Sequence, residues 1–422
     1  MTMTDVSTAT RARWLAVFSV SVGTFTVVTS EMLPVGLLTS IAAGLGVSDG
    51  TAGLMMSAPG LVAAVSAPVL AITARRLDRR VTLLGLMALL AVANLAGAFA
   101  PNYPVMLAAR VLTGVSIGGF WAFAAGLGLR LVPERSVGRA TSIILAGVSV
   151  ASVLGVPAGT FISSFAGWRT AFVSMGVLAL ALLALLAATL PPLPGESRAG
   201  EAEPSPHETP SPAPKGRLSR LSSPLRVVLV LTVLIVSGHF AAYTYVRPFL
   251  EQVSHAGPAY VSAALLLYGV AGVAGNFAAG AWAARNPRPA LVALAALIAL
   301  STAALPLVGL PLVMLVVWGL GYGGVGVTLQ LWIMRSGGGE MGTALFVGAF
   351  NVSIALGSFA GGRIVDGVSL SAVMWVGAAL AVVSASVAGV AGVAGVGRVT
   401  DVSSVSDVSG RSRTAGSSKG RA

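Results

Sequence analysis

The 422-residue chain is 55% hydrophobic and only 9% charged, whereas a soluble domain devotes about a quarter of its residues to Asp, Glu, Lys and Arg. So little polar surface excludes a soluble enzyme. The formal charge of +12 suits either a nucleic-acid binder or a membrane protein with basic cytoplasmic loops, and the absence of cysteine excludes a disulfide framework, a thiolate zinc site and a thiol nucleophile.

A helix crossing the hydrocarbon core needs about 20 largely apolar residues, and such stretches recur from Trp14 almost to Arg398. Inside lipid the backbone must bond to itself, which leaves helices or a closed barrel. Runs such as 171–190 are continuously apolar rather than alternating, so the fold class is an all-α polytopic membrane protein. Residues 1–13 read as a cytoplasmic N-terminus. Arg11 and Arg13 precede an apolar run reaching Leu38, too long for a signal-peptide core and read as a retained first span.

The predicted spans of an N-terminal bundle, 14–190, are 14–38, 51–73, 81–100, 104–129, 140–162 and 169–190. A linker at 191–224 carries seven prolines from Pro194 onward among Glu, Ser and Lys, a composition that cannot bury a core. A C-terminal bundle, 225–396, holds spans 225–247, 259–283, 289–308, 310–333, 341–362 and 370–396. The tail 397–422, rich in Ser, Gly and Arg, is expected to be disordered and cytoplasmic.

With the N-terminus cytoplasmic, all but four of the 26 basic residues fall on the cytoplasmic side. Arg169, Arg247 and Arg363 fall outside, and Arg110 lies within a span. Both termini are therefore expected to be cytoplasmic. The positive charge is a topology signal, and nucleic acid is not an expected partner.

Two charges interrupt apolar spans: Glu31 in the first and Arg110 in the fourth. An ionised group at mid-membrane costs at least ~3 kcal/mol on insertion scales, so such residues face a partner or a watery cavity. Counting about 1.5 Å per residue sets both roughly 10 Å from the outer boundary. A titratable carboxylate beside an arginine can load and release a proton as that contact changes. The alternatives are a static ion pair fixing span one against span four, or a glutamate that snorkels to the interface.

Gly147, Gly155, Pro157 and Gly159 lie in span five, where small residues at intervals of four let a neighbouring helix approach and the proline bends the helix. Span eleven repeats the small-residue pattern from Gly348 to Gly362, as in transporters built from repeats; simple glycine-mediated packing is the alternative. Arg75, Arg76, Asp78, Arg79 and Arg80 crowd the short loop between spans two and three and read as a gating loop or as plain positive-inside retention. His239, Tyr243, Asn276, Trp318, Tyr322, Gln330 and Asn351 are candidate cavity groups for an amphiphilic aromatic ligand, each alternatively a packing residue or interface anchor. Three scattered histidines and the lack of a phosphate-binding loop leave no metal or nucleotide site.

These features together resemble the major facilitator superfamily: two six-helix halves, the charged loop, Arg110 followed by Gly114 and Gly118-Gly119, and Gly155-Val-Pro-Ala-Gly159. Within it the chain resembles the twelve-span drug:proton antiporters. Glu31-Met-Leu-Pro-Val-Gly-Leu-Leu38, Gly167-Trp-Arg-Thr-Ala-Phe172 and Ala349-Phe-Asn351 are similar to bacterial chloramphenicol exporters and arabinose-efflux-like permeases. The resemblance implies that Glu31 and Arg110 couple protons and that Gly155, Pro157 and Gly159 form the antiporter motif. The loop departs from the family pattern, with Arg75 where an aspartate is usual and Asp78 where a second glycine is.

The expected function is proton-coupled efflux, by alternating access, of a small amphiphilic compound such as chloramphenicol. Export of a sugar or endogenous metabolite is the first alternative, and a non-transporting receptor or scaffold the second. No catalytic residues and no cofactor are expected. The proton gradient is the energy source, and the partners are substrate, protons and lipid. The expected state is a monomer in the bacterial inner or plasma membrane.

Overall fold

The computed structural model describes residues 3–124, 126–194, 223–336 and 339–409. Most of the expected linker, 195–222, and the end of the tail, 410–422, lie outside the described residues.

The membrane-crossing helices are α1 (Arg13–Leu45), α2 (Asp49–Thr73), α3 (Arg79–Ala98) and α4 (Tyr103–Ala124), followed by a 56-residue helical stretch, Glu134–Thr189. A straight helix of that length would span about 84 Å, nearly three times the ~30 Å hydrocarbon core. Gly167 breaks it with a φ of 79° and a ψ of 160°, a conformation open to glycine and strained for residues bearing a Cβ. The stretch is therefore two passes, α5 (134–166) and α6 (168–189). The second half comprises α7 (Ser223–Tyr243), α8 (Pro258–Ala283), α9 (Pro287–Ala304), α10 (Pro311–Arg335), α11 (Met341–Gly367) and α12 (Leu370–Val390). Twelve passes result among the described residues.

Helix starts follow local chemistry. Ser48 caps the start of α2 by accepting from the Thr51 amide, and Asp78 caps α3 by accepting from the Arg80 amide at 2.7 Å. Proline opens α8, α9 and α10, where its missing N–H is one the helix would leave unpaired. Beyond α12 the helix runs on to Ser409. No proline lies between Leu370 and Ser409 to stop a ladder already nucleated.

The two halves repeat one packing scheme. α1 lies on α5 as α7 lies on α11; α2 on α4 as α8 on α10; α3 on α6 as α9 on α12. The halves meet where α2 packs on α11 and α5 on α8, pairs that exchange under the same shift of six helices. Large apolar side chains such as Ile72, Phe165, Phe277 and Leu300 are exposed at the perimeter, the surface a bilayer would cover.

Candidate functional site

The site begins at a break in α1. The α-helical ladder ends at Met32, gives way to a 3-10 turn over Leu33–Leu37, and resumes at Leu38. Pro34 has no N–H, so the Ser30 carbonyl four residues earlier loses its helical donor. Arg110, only 1% exposed, supplies the replacement from α4. Its Nη1 donates to Ser30 O at 2.8 Å, its Nη2 to Glu31 O at 2.9 Å, and its Nε to Met55 O on α2 at 3.1 Å. The planar guanidinium thus ties three helices together through main-chain oxygens.

Glu31 is 7% exposed. Arg110 reaches its backbone carbonyl, and among the described residues the ion pair is Arg247–Glu251, not Arg110–Glu31. The two intramembrane residues are neighbours, which matched depth permits, but the guanidinium fork is spent on the main chain. Nearby, Asn94 on α3 donates to Ser30 Oγ at 3.1 Å and to Leu90 O at 2.9 Å, while its side-chain oxygen is buried without a partner. Thr29 Oγ1 and Ser57 Oγ are equally buried and unpaired. Asn94 escaped the sequence reading. Its signal, a lone amide in an apolar span, was the one that singled out Asn276.

The α5 glycines form the seam against α1. A Cβ on Gly147 would strike the Ser21 carbonyl, one on Gly155 would lie 2.7 Å from Thr29 Oγ1, and one on Gly159 would strike Leu33. Just before Pro157 the helix widens into a π turn at Ala151–Gly155, since the proline cannot donate to the preceding turn. Ser152 and Val153, at this bulge, press against Gly269 of α8. The stretch therefore contacts both α1 and the opposite half.

In the second half an aromatic group surrounds His239 of α7. Trp318 Nε1 on α10 donates to His239 Nδ1 at 3.1 Å, and Nε2 stands 3.5 Å from the Tyr268 hydroxyl on α8. A nitrogen that accepts from an N–H carries no proton, so His239 is neutral with its proton on Nε2. Tyr322 stacks on His239 with centroids 3.2 Å apart, and Tyr243 stacks at 5.0 Å. The Tyr322 hydroxyl is buried without a partner and lies within electrostatic range of Glu31. Tyr268 was not singled out in the sequence, because one tyrosine in an apolar span reads as packing.

The remaining candidates lie apart from this group. Gln330 donates to Thr343 Oγ1 at 3.2 Å. Asn351 donates back to Val347 O of its own helix, and its main chain packs against Gly60 of α2. Asn276 is half-buried.

The charged loop is tied down rather than free. Asp78 accepts from the Leu193 amide at 3.1 Å, Arg79 N donates to Leu193 O at 2.8 Å, and Arg80 Nη2 donates to Ala187 O at 2.5 Å. Arg79 also covers the Phe123 ring. Arg75 and Arg76 are exposed. Asp78, standing where the family pattern has a glycine, anchors the start of α3 to the segment that follows α6.

Hydrogen bonds between the two halves gather on one face, at the α1–α2 connection. Arg247 donates to Gly36 O and, at 3.1 Å, to Ser40 Oγ; Thr39 Oγ1 donates to Glu251 at 2.6 Å; Gln252 donates to Asp49 at 2.8 Å. Asp366 of α11 accepts from Ser48 Oγ at 2.8 Å and from Gly50 N at 3.0 Å, and the Tyr245 hydroxyl faces Gly50 O at 3.4 Å. Among the described residues no inter-half hydrogen bond lies at the opposite end. The molecule is latched on the α1–α2 face.

Comparison with known proteins agrees with this architecture. The family model described as Major Facilitator Superfamily matches residues 20–348. The Transcription regulatory protein OpdE of Pseudomonas aeruginosa is 35% identical over 383 residues, spanning 88% of this chain and 92% of its own. The Purine ribonucleoside efflux pump NepI of Escherichia coli K12 is 30% identical over 383 residues, spanning 89% and 93%. Among solved structures, a bacterial homolog of the human lysosomal transporter Spinster superposes with a TM-score of 0.66 at 14% identity, covering 90% of this chain and 95% of that one. The xylose transporter XylE from E. coli gives 0.66 at 15%, covering 89% and 96%. At those identities the structural likeness is one of fold.

Proposed function

The chain belongs to the major facilitator superfamily, and we propose that it is a proton-coupled exporter of a small amphiphilic compound bearing an aromatic ring. It sits in a bacterial inner or plasma membrane as a monomer with both termini cytoplasmic. In that orientation the latched face is the outer one, and the molecule stands ready to load from inside. Glu31 is the proton carrier, Arg110 holds its helix segment, and the rings around Tyr322 receive the substrate.

The observation that carries this reading is the Glu31 carboxylate itself. It is buried in a helix that crosses the membrane, and Arg110 spends its hydrogen bonds on carbonyls rather than on the carboxylate, which leaves Glu31 the group in the site suited to carrying a proton. Each unit of pH difference supports about tenfold substrate accumulation per proton moved.

The NepI relatives favour a purine ribonucleoside, an endogenous metabolite, as the first compound to test, ahead of chloramphenicol. Proteoliposomes carrying the purified protein should move inosine, adenosine or chloramphenicol against an imposed pH gradient and acidify or alkalinise in return. Equal movement with and without the gradient would sink antiport. Glu31→Gln should abolish gradient-driven movement while the protein stays monodisperse; full activity in that variant would remove Glu31 from the mechanism.

The similarity to OpdE favours one further reading, a membrane receptor that binds without moving its ligand. Saturable binding by the purified protein, with no movement of the bound compound under any gradient, would select it.

A further inference from the structure

The basic residues that the charge pattern left on the outer side include Arg247, and it is not a solvent-facing loop residue. It is 6% exposed, just past the end of α7. Every arm of its guanidinium is used: Nε to Glu251 at 2.7 Å, Nη1 to Gly36 O, Nη2 to Ser40 Oγ at 3.1 Å. Gly36 belongs to the 3-10 break of α1, and the Ser40 hydroxyl lies on the turn that follows. Thr160 Oγ1 of α5 shares the same Gly36 carbonyl at 3.2 Å.

Two arginines therefore hold the two ends of one interrupted segment. Arg110, from the same half as α1, takes the carbonyls of Ser30 and Glu31. Arg247, from the other half, takes the carbonyl of Gly36, five residues beyond Glu31. Arg110 can keep its bonds while the halves move, because α1, α2 and α4 belong to one bundle. Arg247 cannot. Its bonds to α1 exist only while the α1–α2 face is shut.

We propose that Arg247 is a positioning residue that acts on Glu31: by clamping Gly36 and Ser40 it shuts the α1–α2 face and fixes the interrupted segment that carries Glu31 in one arrangement. When the face opens, the segment keeps its Arg110 anchor and loses the other, so the surroundings of Glu31 change with the state of the gate. The charged and titratable groups around the clamp are Glu251 on the same element, Asp49 on α2 through Gln252, Asp366 on α11, and the hydroxyl of Tyr245 beside α7. Around Glu31 they are Arg110 on α4 and Tyr322 on α10. A direct path for charge from Arg247 to Glu31 is not required, since the connection is the main chain between them.

The link to Glu31 rests on the antiport reading above; the clamp itself does not. The test accordingly has one arm independent of transport. The chain has no cysteine, so Glu31→Cys places a single thiol behind the clamp. In right-side-out vesicles, labelling of that thiol by a membrane-impermeant maleimide added outside is expected to rise at least about tenfold when Arg247→Gln is added, because even one charge-assisted hydrogen bond carries that factor. Glu251→Gln, which leaves Arg247 in place but removes its charge partner, should give a smaller rise and covers the case in which Arg247→Gln does not fold. Unchanged labelling in both folded variants would overturn the clamp.

The second arm uses the Glu31 protein in proteoliposomes. Arg247→Gln should move the pH midpoint of substrate transport and raise the KM seen from the inner side, since a smaller inward-loading population weakens apparent binding in proportion. Arg247→Lys, which can still reach the Gly36 carbonyl, should restore much of both. A variant that labels faster yet keeps the wild-type pH midpoint would overturn the positioning role. Failure of the wild-type protein to respond to a pH gradient would instead overturn the antiport reading, with the labelling result standing on its own.

Discussion

At the scale of single residues, the chemistry turns on where two guanidinium groups spend their donors. Arg110 serves three carbonyls on two helices with one planar fork. A lysine carries a point charge on a flexible stem and cannot reproduce that fork. Arg110→Lys is therefore expected to lower stability by about 2–3 kcal/mol, the scale of charged hydrogen bonds lost inside a dry bundle, measured as a fall in thermal unfolding temperature in detergent. A thermal midpoint equal to wild type would mean that the carbonyls find other donors. On a smaller scale, Trp318→Phe strips His239 Nδ1 of its donor and should cost about 1–3 kcal/mol. Glu31 and Arg110 were legible in the sequence because charge in an apolar span is conspicuous. Their partners were not, because carbonyls carry no letter in a sequence. Arg247 was legible only as an exception to the charge rule, and Asn94 and Tyr268 passed as ordinary residues of their spans.

At the scale of the element, glycines decide how closely helices approach, and the structure separates those that matter from those that do not. Gly147 lies so near the Ser21 carbonyl that a methyl group cannot enter, whereas a Cβ on Gly348 meets nothing within 4 Å. Gly147→Ala should push α5 from α1 and cost about 1–3 kcal/mol by overpacking, while Gly348→Ala should be neutral or slightly stabilising through helix propensity. Paired unfolding curves of the two variants check this directly, and equal midpoints would mean that the α1–α5 seam admits the extra methyl group. The small-residue spacing of α5 was readable because a period of four marks one helix face. The π turn at Ala151–Gly155 was not, since the sequence shows that Pro157 withholds a donor but not how the preceding turn accommodates it. Asp78 is a similar case: the sequence marked it as a departure from a pattern, and only the fold brings Leu193 to it.

For the whole molecule, the twelve-pass architecture was legible because length and apolarity alone define a span, and the repeat between halves follows from the shared pairing scheme. What the sequence could not carry is the state of the molecule, because the latch joins residues about two hundred or more positions apart. A transporter that alternates access must break that latch in every cycle. Welding it should therefore stop transport without disturbing the fold. Ser48 and Asp366 are joined by a hydrogen bond of 2.8 Å across the two halves, and the absence of native cysteine removes background reactions. In a Ser48→Cys/Asp366→Cys protein, a short bridging bis-thiosulfonate reagent should abolish transport in proportion to the fraction cross-linked, and a reductant should restore it. Each single-cysteine protein should keep its activity after the same treatment, since a bridge needs both ends. Full transport by completely cross-linked protein would mean that the halves do not part at this face, and a rigid binding role would then describe the molecule better than a rocking one.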